Sequence, residues 1–185
     1  MDTTRYLTKE QKVESRAIAL KEKLCRWCGV DVKRLSKHRR TFCSDECVHE
    51  FNLRSSSSYA REYIGKRDKY TCQLCGLECR GLIRQLWKYV NEEMPRLKRD
   101  NAIYADYKNY RHARKALEVE FFEKRGLPWV NTSNRSTFYD NDHILPVVEG
   151  GGKAGEDNLR CLCLICHRKE TALLHKRRKA ERDQG

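Results

Sequence analysis

Between residues 9 and 24, Val13, Ala17, Ile18, Leu20 and Leu24 recur at loose helical spacing, and Thr8 with Gln11 makes a capping box at the start. The helix so predicted is polar enough to be a solvated or docking element. Ser44, followed by Asp45 and Glu46, opens a second helix, because its hydroxyl accepts from a first-turn N–H and the two acids complement the dipole. The run Ser55 to Ser58 interrupts it, and Ser58 is expected to cap a third helix from about Tyr59 to Lys66. In GLIRQLWKYVNEE, Leu82, Leu86 and Val90 share a face, and Pro95 is expected to break that helix. A longer helix is predicted from roughly Arg96 to Lys124, with Ile103, Tyr107, Tyr110, Leu117 and Phe121 on its apolar face and Gly126 and Pro128 ending it. Residues 129–138 read as loop. From Tyr139 onward the pattern changes: Asp142 and His143 begin a short apolar run, Gly150, Gly151 and Gly152 form a loop, an alternating segment ends in Cys163, and Cys166 and His167 open a basic helix. That order predicts strand, loop, strand and helix.

Composition narrows what such a chain can be. Only 39% of the 185 residues are hydrophobic and 35% are charged, so a core is possible but thin and external staples are expected. The formal net charge of +13, with a pI near 9.4, points to an anionic polymer or an anionic membrane surface. There is no 18-residue apolar run, so no bilayer-spanning helix is expected, and the N-terminus has no apolar segment of the kind that marks a secretory signal. A reducing, intracellular compartment follows as an expectation, nuclear in a eukaryote and cytoplasmic in a bacterium or phage. Because the basic residues are spread over several segments, nucleic acid fits better than a membrane. Tyr104, Tyr107 and Tyr110 lie among Lys108, Arg111, Arg114 and Lys115, and this stretch is either an amphipathic face packed on the core or a basic-aromatic face lying along DNA.

Ten cysteines in a reducing compartment read as metal ligands before disulfides. Cys25 and Cys28, then fourteen residues, then Cys43 and Cys47, make two close pairs across a loop, each pair supplying one edge of a tetrahedral zinc site. Lys33, Arg34, Lys37, Arg39 and Arg40 in that loop are either phosphate contacts or a solvated face. His49 reads as a bystander, since four cysteines complete the site. Cys72 and Cys75 find their natural partners at Cys163 and Cys166, and a second zinc there would close a loop of roughly ninety residues and supply on the order of 10 kcal/mol of apparent folding free energy. Cys79 and Cys161 remain as small buried apolar residues, although spacing alone lets Cys79 replace Cys75 or Cys161 replace Cys163.

Phosphodiester hydrolysis needs an attacking water, a base to deprotonate it and a cation for the charge that develops on the leaving oxygen. Asp142 offers a hard anionic ligand, and His143 a base whose intrinsic pKa is near neutral. On a strand these neighbours point to opposite sides, so one can hold metal while the other faces water. Asn158 can fix the loop or orient a ligand, and His167 sits rigidly in the first turn of the last helix. The basic residues of that helix, Arg168, Lys169, Lys176, Arg177, Arg178, Lys179 and Arg182, read as backbone contacts near the cut or, from Lys179 on, as a solvated tail.

The series D-H, N-L and C-x2-C-H followed by K-E-T resembles the HNH endonuclease motif of the ββα-metal (His-Me finger) class, with His143, Asn158 and His167 as the letters and Cys72, Cys75, Cys163 and Cys166 as the zinc knuckles found in many of its members. Over residues 25–79 and 139–182 the chain is similar to the HNH domains at the C-terminus of zinc-finger, Ran-binding-domain-containing annealing helicases. The resemblance implies His143 as general base, Asp142 and His167 as ligands of one catalytic divalent ion (Mg²⁺ or Mn²⁺), Asn158 as the residue that orients the active-site loop or reaches the metal, and products with 5′-phosphate and 3′-hydroxyl ends. It implies a structure-directed DNA nuclease acting on double-stranded or branched DNA, within a larger DNA-processing assembly. No Walker motif occurs in this chain. The expected architecture is α+β and mostly helical: an N-terminal helix over 1–24, a four-cysteine zinc module over 25–66, and an HNH domain over 67–185 with a helical insertion at 80–138. Two structural Zn²⁺ and one catalytic ion are the expected cofactors. A zinc-stapled nucleic-acid-binding module without catalysis, and an RNA-directed nuclease, are the competing readings.

Overall fold

The computed structural model describes residues 7–33, 41–100, 110–153 and 155–183. Among them the protein is mostly helical, with one two-stranded sheet, which is the mixed, helix-rich architecture the pattern predicts. The chain divides into two compact units, Met1–Lys69 with Asn141–Cys161, and Tyr70–Asp140 with Leu162–Gly185.

The first unit holds α1 (Lys9–Glu22), α2 (Asp45–Ser55) and α3 (Ser57–Arg67). The Thr8–Gln11 capping box forms, with the Gln11 N–H donating to Thr8 Oγ1 and the Thr8 N–H to Gln11 Oε1. The apolar stripe of α1 does not become a core face: Val13, Ile18 and Leu20 are exposed and Ala19 is buried. What fixes α1 is polar. The Arg26 guanidinium donates to the Lys12 carbonyl and Ser15 hydroxyl, while its carbon lies 4.2 Å from the Phe51 ring centroid. Ser44 caps α2 as expected. The expected cap of α3 at Ser58 is corrected by the structure, in which Ser56 takes that role and accepts from the Tyr59 N–H. Ser56 is extended (φ −137°, ψ 110°), and its own N–H donates to the Asn52 carbonyl, so one residue ends α2 and starts α3. The serine run is therefore a tight corner rather than a gap, and Phe51, Leu53, Ala60 and Ile64 are buried around it.

The second unit is built on α4 (Leu82–Asp100) and α5 (Tyr110–Glu123). Pro95 does not break α4, contrary to the sequence expectation. An internal proline costs about 3 kcal/mol through its lost donor and ring clash, and burial of Leu86, Val90 and Met94 along the same face offsets it. Nor is Arg96–Lys124 a single helix. Arg96 meets Glu120 at 3.4 Å and Tyr89 meets Lys124 at 2.8 Å, so α4 and α5 run side by side and antiparallel. Ile103, Tyr104 and Tyr107 of the predicted helix lie outside the described residues. Gly126, at φ +65°, ends the turn after α5. Phe121, Phe122 and Phe138 form the aromatic centre, with ring centroids 5.6 and 5.5 Å apart. Glu118 is buried there, and its charge is compensated by Arg114 at 2.9 Å and by the Trp129 indole N–H.

β1 (Tyr139–His143) and β2 (Leu159–Cys163) pair into the sheet, and α6 (Leu164–Asp183) follows directly. The chain leaves the second unit within β1 and returns to it within β2. α6 buries Leu164 and Cys166, and its basic residues beyond His167 are exposed. Phe121→Ala is expected to cost about 3–5 kcal/mol in chemical denaturation, whereas Val13→Ala, at a site 63% exposed, should change stability by less than about 0.5 kcal/mol.

Candidate metal centres and active site

Two segments with the same C-x2-C-G pattern fold the same way. In the first, the Cys25 N–H donates to the Val30 carbonyl, the Gly29 N–H donates to the Cys25 carbonyl, and Leu24 bridges Asp31. In the second, the Cys72 N–H donates to the Leu77 carbonyl, the Gly76 N–H donates to the Cys72 carbonyl, and Thr71 bridges Glu78. Gly29 and Gly76 sit at φ +73° and +72°, a conformation that glycine alone adopts without strain. Each turn aims two sulfurs at a second pair. Cys25, Cys28, Cys43 and Cys47 form one cluster, and Cys72, Cys75, Cys163 and Cys166 the other, with the sulfurs of each within 4.8 Å of one another. The measured separations include 3.4 Å for Cys28–Cys43, 3.3 Å for Cys43–Cys47 and 3.8 Å for Cys75–Cys163. A zinc–sulfur tetrahedron with bonds near 2.3 Å has edges of about 3.8 Å, so both donor sets fit zinc and each cluster could hold one ion. Cys79 is buried and donates to the Leu77 carbonyl, Cys161 belongs to neither cluster, and His49 bonds Tyr59. The structure thereby settles the alternatives that spacing left open.

The thiols of each cluster are unequal. Burial pushes Cys25 up, but the N–H groups of Cys28, Trp27 and Cys43 carry it down to about 6. Burial also opposes ionisation of Cys72, yet the N–H groups of Cys163, Cys75 and Leu74 lower it to about 7. Their neighbours move the other way: hydrogen bonds with Cys47 and Cys28 push Cys43 up to about 12, and burial pushes Cys166 up to about 11. Ionisation of Cys25 and Cys72 is thus favoured and that of Cys43 and Cys166 opposed, and a second thiolate so close to the first would be repelled by it. A bound dication removes that penalty.

The segment after β1 is held by Asn158. Its Oδ1 accepts from the Leu145 N–H at 2.7 Å, and its Nδ2 donates to the carbonyls of Leu145 and Gly151 at 3.1 and 3.0 Å. Both ends of the amide are thus spent on the loop that follows His143. A Cβ at position 151 would fall 1.8 Å from the Leu145 carbonyl oxygen, so that glycine is required by close backbone approach. Asp142 and His143, half-buried at the end of β1, lie in the first unit. The Asp142 Oδ2 accepts from both Nε and Nη2 of Arg160 at 2.9 Å. His167 lies in the second unit, next to the sulfur ligand Cys166, with its Nδ1 3.6 Å from Asp140 Oδ2. Asp140 is buried and also bonds Arg135. Sequence reasoning missed Asp140, Arg135 and Arg160. Asp140 had a signal, since it stands two residues before Asp142 on one strand and so on the same face. Arg160 occupies the alternate register of β2, but nothing local marks its partner.

The model of the HNH endonuclease family matches residues 132–173. Among curated proteins the chain is 32% identical over 144 residues to the human DNA annealing helicase and endonuclease ZRANB3, covering 78% of this chain and 12% of that protein. The bovine protein of the same name is 33% identical over 148 residues, and the mouse protein 31% over 141. The chain spans about an eighth of the length of these relatives, and the alignments reach beyond residues 25–79 and 139–182. No solved structure matches the chain.

Elemental analysis of the purified chain is expected to find about two zinc ions. Cys166→Ala should lower zinc content and unfold the second unit, while His167→Ala should keep both the zinc and the circular dichroism of the parent; equal loss in both would break the division between Cys166 and His167. Asn158→Ala strips partners from an N–H and two carbonyls, and a loss of about 1–3 kcal/mol in denaturant unfolding is expected.

Proposed function

We propose, from the premise that residues 132–173 are an HNH endonuclease domain, that the chain is a metal-dependent DNA endonuclease hydrolysing phosphodiester bonds. The observation that carries the proposal is the Asn158 clamp: an Asp-His pair ends a strand, and the loop behind it is pinned at Leu145 and Gly151 by an amide from the residue just before the next strand. A rigid backbone is what a base needs to meet a water at a fixed angle. His143 takes the proton of the attacking water. The water oxygen bonds to phosphorus, the bond to the 3′ oxygen breaks, and the products carry 5′-phosphate and 3′-hydroxyl ends.

Asp142 and His167 would hold the divalent ion, the one through a hard carboxylate oxygen and the other through an imidazole nitrogen, a donor set that suits Mg²⁺ or Mn²⁺ with an added nitrogen ligand. When bound, that ion stabilises the charge on the leaving oxygen. Asp140, 3.6 Å from His167 Nδ1, would orient the ring, as an outer carboxylate does for a metal-bound histidine. Arg160 compensates Asp142 within its own unit. The basic helix α6 and the net charge of +13 favour a polyanionic substrate, and double-stranded or branched DNA is the class proposed. The names of the relatives, which pair annealing helicase and endonuclease, extend this to a place beside other DNA-processing machinery.

Plasmid nicking that requires Mg²⁺ or Mn²⁺ is the expected outcome, with His143→Ala lowering the rate by roughly 10²- to 10⁴-fold at unchanged zinc content. Undiminished nicking by that variant would remove His143 from the role of base. Salt-dependent binding with no cleavage under any divalent ion would establish the non-catalytic module, and cleavage of an RNA duplex in preference to a matched DNA duplex would reassign the substrate.

A further inference from the structure

The helical insertion carries two clefts that the hydrolytic chemistry does not use. One, of about 440 Å³, is lined by Tyr70, Arg80, Arg84, Trp87, Arg135 and Thr137 among others, with no acidic residue among the described ones. The other, of about 470 Å³, is lined by Arg111, Arg114, Lys115 and Trp129, with Glu118 as the one acid among the described residues. Both fall within the range of roughly 300–1,000 Å³ typical of ligand clefts. They share a side-chain pair, for the Arg114 guanidinium of the second lies 4.1 Å from the ring centroid of Trp87, which lines the first. The clefts belong to one unit.

The pairing of the charges is informative. Lys88 and Arg96 of α4, and Lys124 just after α5, each meet a carboxylate. Among the described residues Arg80, Arg84, Arg111 and Lys115 meet none. Instead Arg80 lies over Tyr70 at 5.1 Å and Lys115 over Trp129 at 4.9 Å. Cations set beside flat rings, without anions, and lining concave surfaces are the arrangement that takes up unpaired nucleotides, in which phosphates meet the cations and bases stack on rings or guanidinium planes. A duplex keeps its base faces inside the stack and cannot use the rings. Glu118, the one acid, is buried and already compensated by Arg114, so it does not repel a phosphate. Arg135, which lines the first cleft, bonds Asp140, and Asp140 is the carboxylate 3.6 Å from His167.

We propose that these two clefts form a binding track for a single-stranded segment of DNA, leading across the insertion toward the Asp140–His167 end of the nuclease domain. The inference shares with the nuclease reading the premise that the ligand is nucleic acid, but it is a statement about binding and stands or falls without cleavage.

The test is fluorescence anisotropy with a labelled twelve-nucleotide oligo(dT) and a twelve-base-pair duplex, using the zinc-loaded full chain without added magnesium or manganese. Arg80→Glu with Arg84→Glu, both at exposed positions, should weaken oligo(dT) binding at least tenfold and reduce the slope of log K against log salt by about 1.4, at roughly 0.7 per lost single-strand contact. Trp87→Ala should weaken it roughly five- to a hundredfold with the slope unchanged. Lys88→Glu, a charge reversal on the same helix at a paired lysine, should leave affinity near that of the parent. Unchanged oligo(dT) affinity in the double variant overturns the proposal, as does an equal loss on the duplex, which would mark a general basic face. Plasmid nicking by the unsubstituted chain, measured separately, reports on the nuclease reading alone.

Discussion

Four sulfur atoms gathered within 4.8 Å of one another set an electrostatic problem that a cation solves. N–H groups can stabilise one thiolate per cluster, as the lowered Cys25 and Cys72 thiols indicate, whereas Cys43, Cys47, Cys163 and Cys166 are pushed toward the protonated form by burial and by their neighbours. The second cluster bears most on the fold, because Cys75 and Cys163 stand 88 residues apart. The two helices between them must leave and return to the same point. Closing so long a loop costs entropy that a thin core is poorly placed to offset, and a fourfold sulfur–metal site is a compact way to do so.

That tie also fixes the corner from which α6 starts. Cys163 ends β2 and Cys166 lies in the first turn of α6, so the strand-to-helix corner is fixed by sulfur. His167, the next residue, inherits that rigidity and reaches the buried Asp140. A cysteine of the second cluster and a candidate catalytic histidine are thus adjacent on one sharp corner. The loop behind His143 is closed without metal: the Asn158 amide holds it by three hydrogen bonds, and Gly151 permits the approach.

The insertion has a different logic. Its core is apolar and aromatic, centred on Phe121, Phe122 and Phe138, and dense enough to carry Pro95 through a helix. Its surface separates two kinds of cation. Those engaged by Glu92, Glu93 and Glu120 stabilise the helix pair modestly, as exposed pairs do. Of those lining the clefts, Arg114 and Arg135 meet Glu118 and Asp140, while Arg80 and Lys115 lie over rings and meet no carboxylate among the described residues.

Much of this is written locally. The C-x2-C-G segments specify their turns because glycine at the fifth position admits the left-handed conformation, and any chain with that pattern tends toward the same hydrogen bonds. The Thr8–Gln11 box and the Ser44 cap follow from side chains satisfying donors within one turn. The order of Asp142, His143, Asn158 and His167, with cysteine pairs beside them, points by itself to an HNH domain. Other features depend on residues distant in sequence. Which of Cys161 and Cys163 joins the cluster, and that Cys79 does not, rests on register, which spacing alone leaves ambiguous. Pro95 reads as a breaker until the burial of Leu86, Val90 and Met94 outweighs it. Ser56 rather than Ser58 caps α3 because α2 ends one residue before it. The Arg160–Asp142 and Arg135–Asp140 pairs, and the meeting of Trp87 with Arg114, join residues whose proximity no periodicity encodes, since it arises from the packing of elements that the sequence lists far apart.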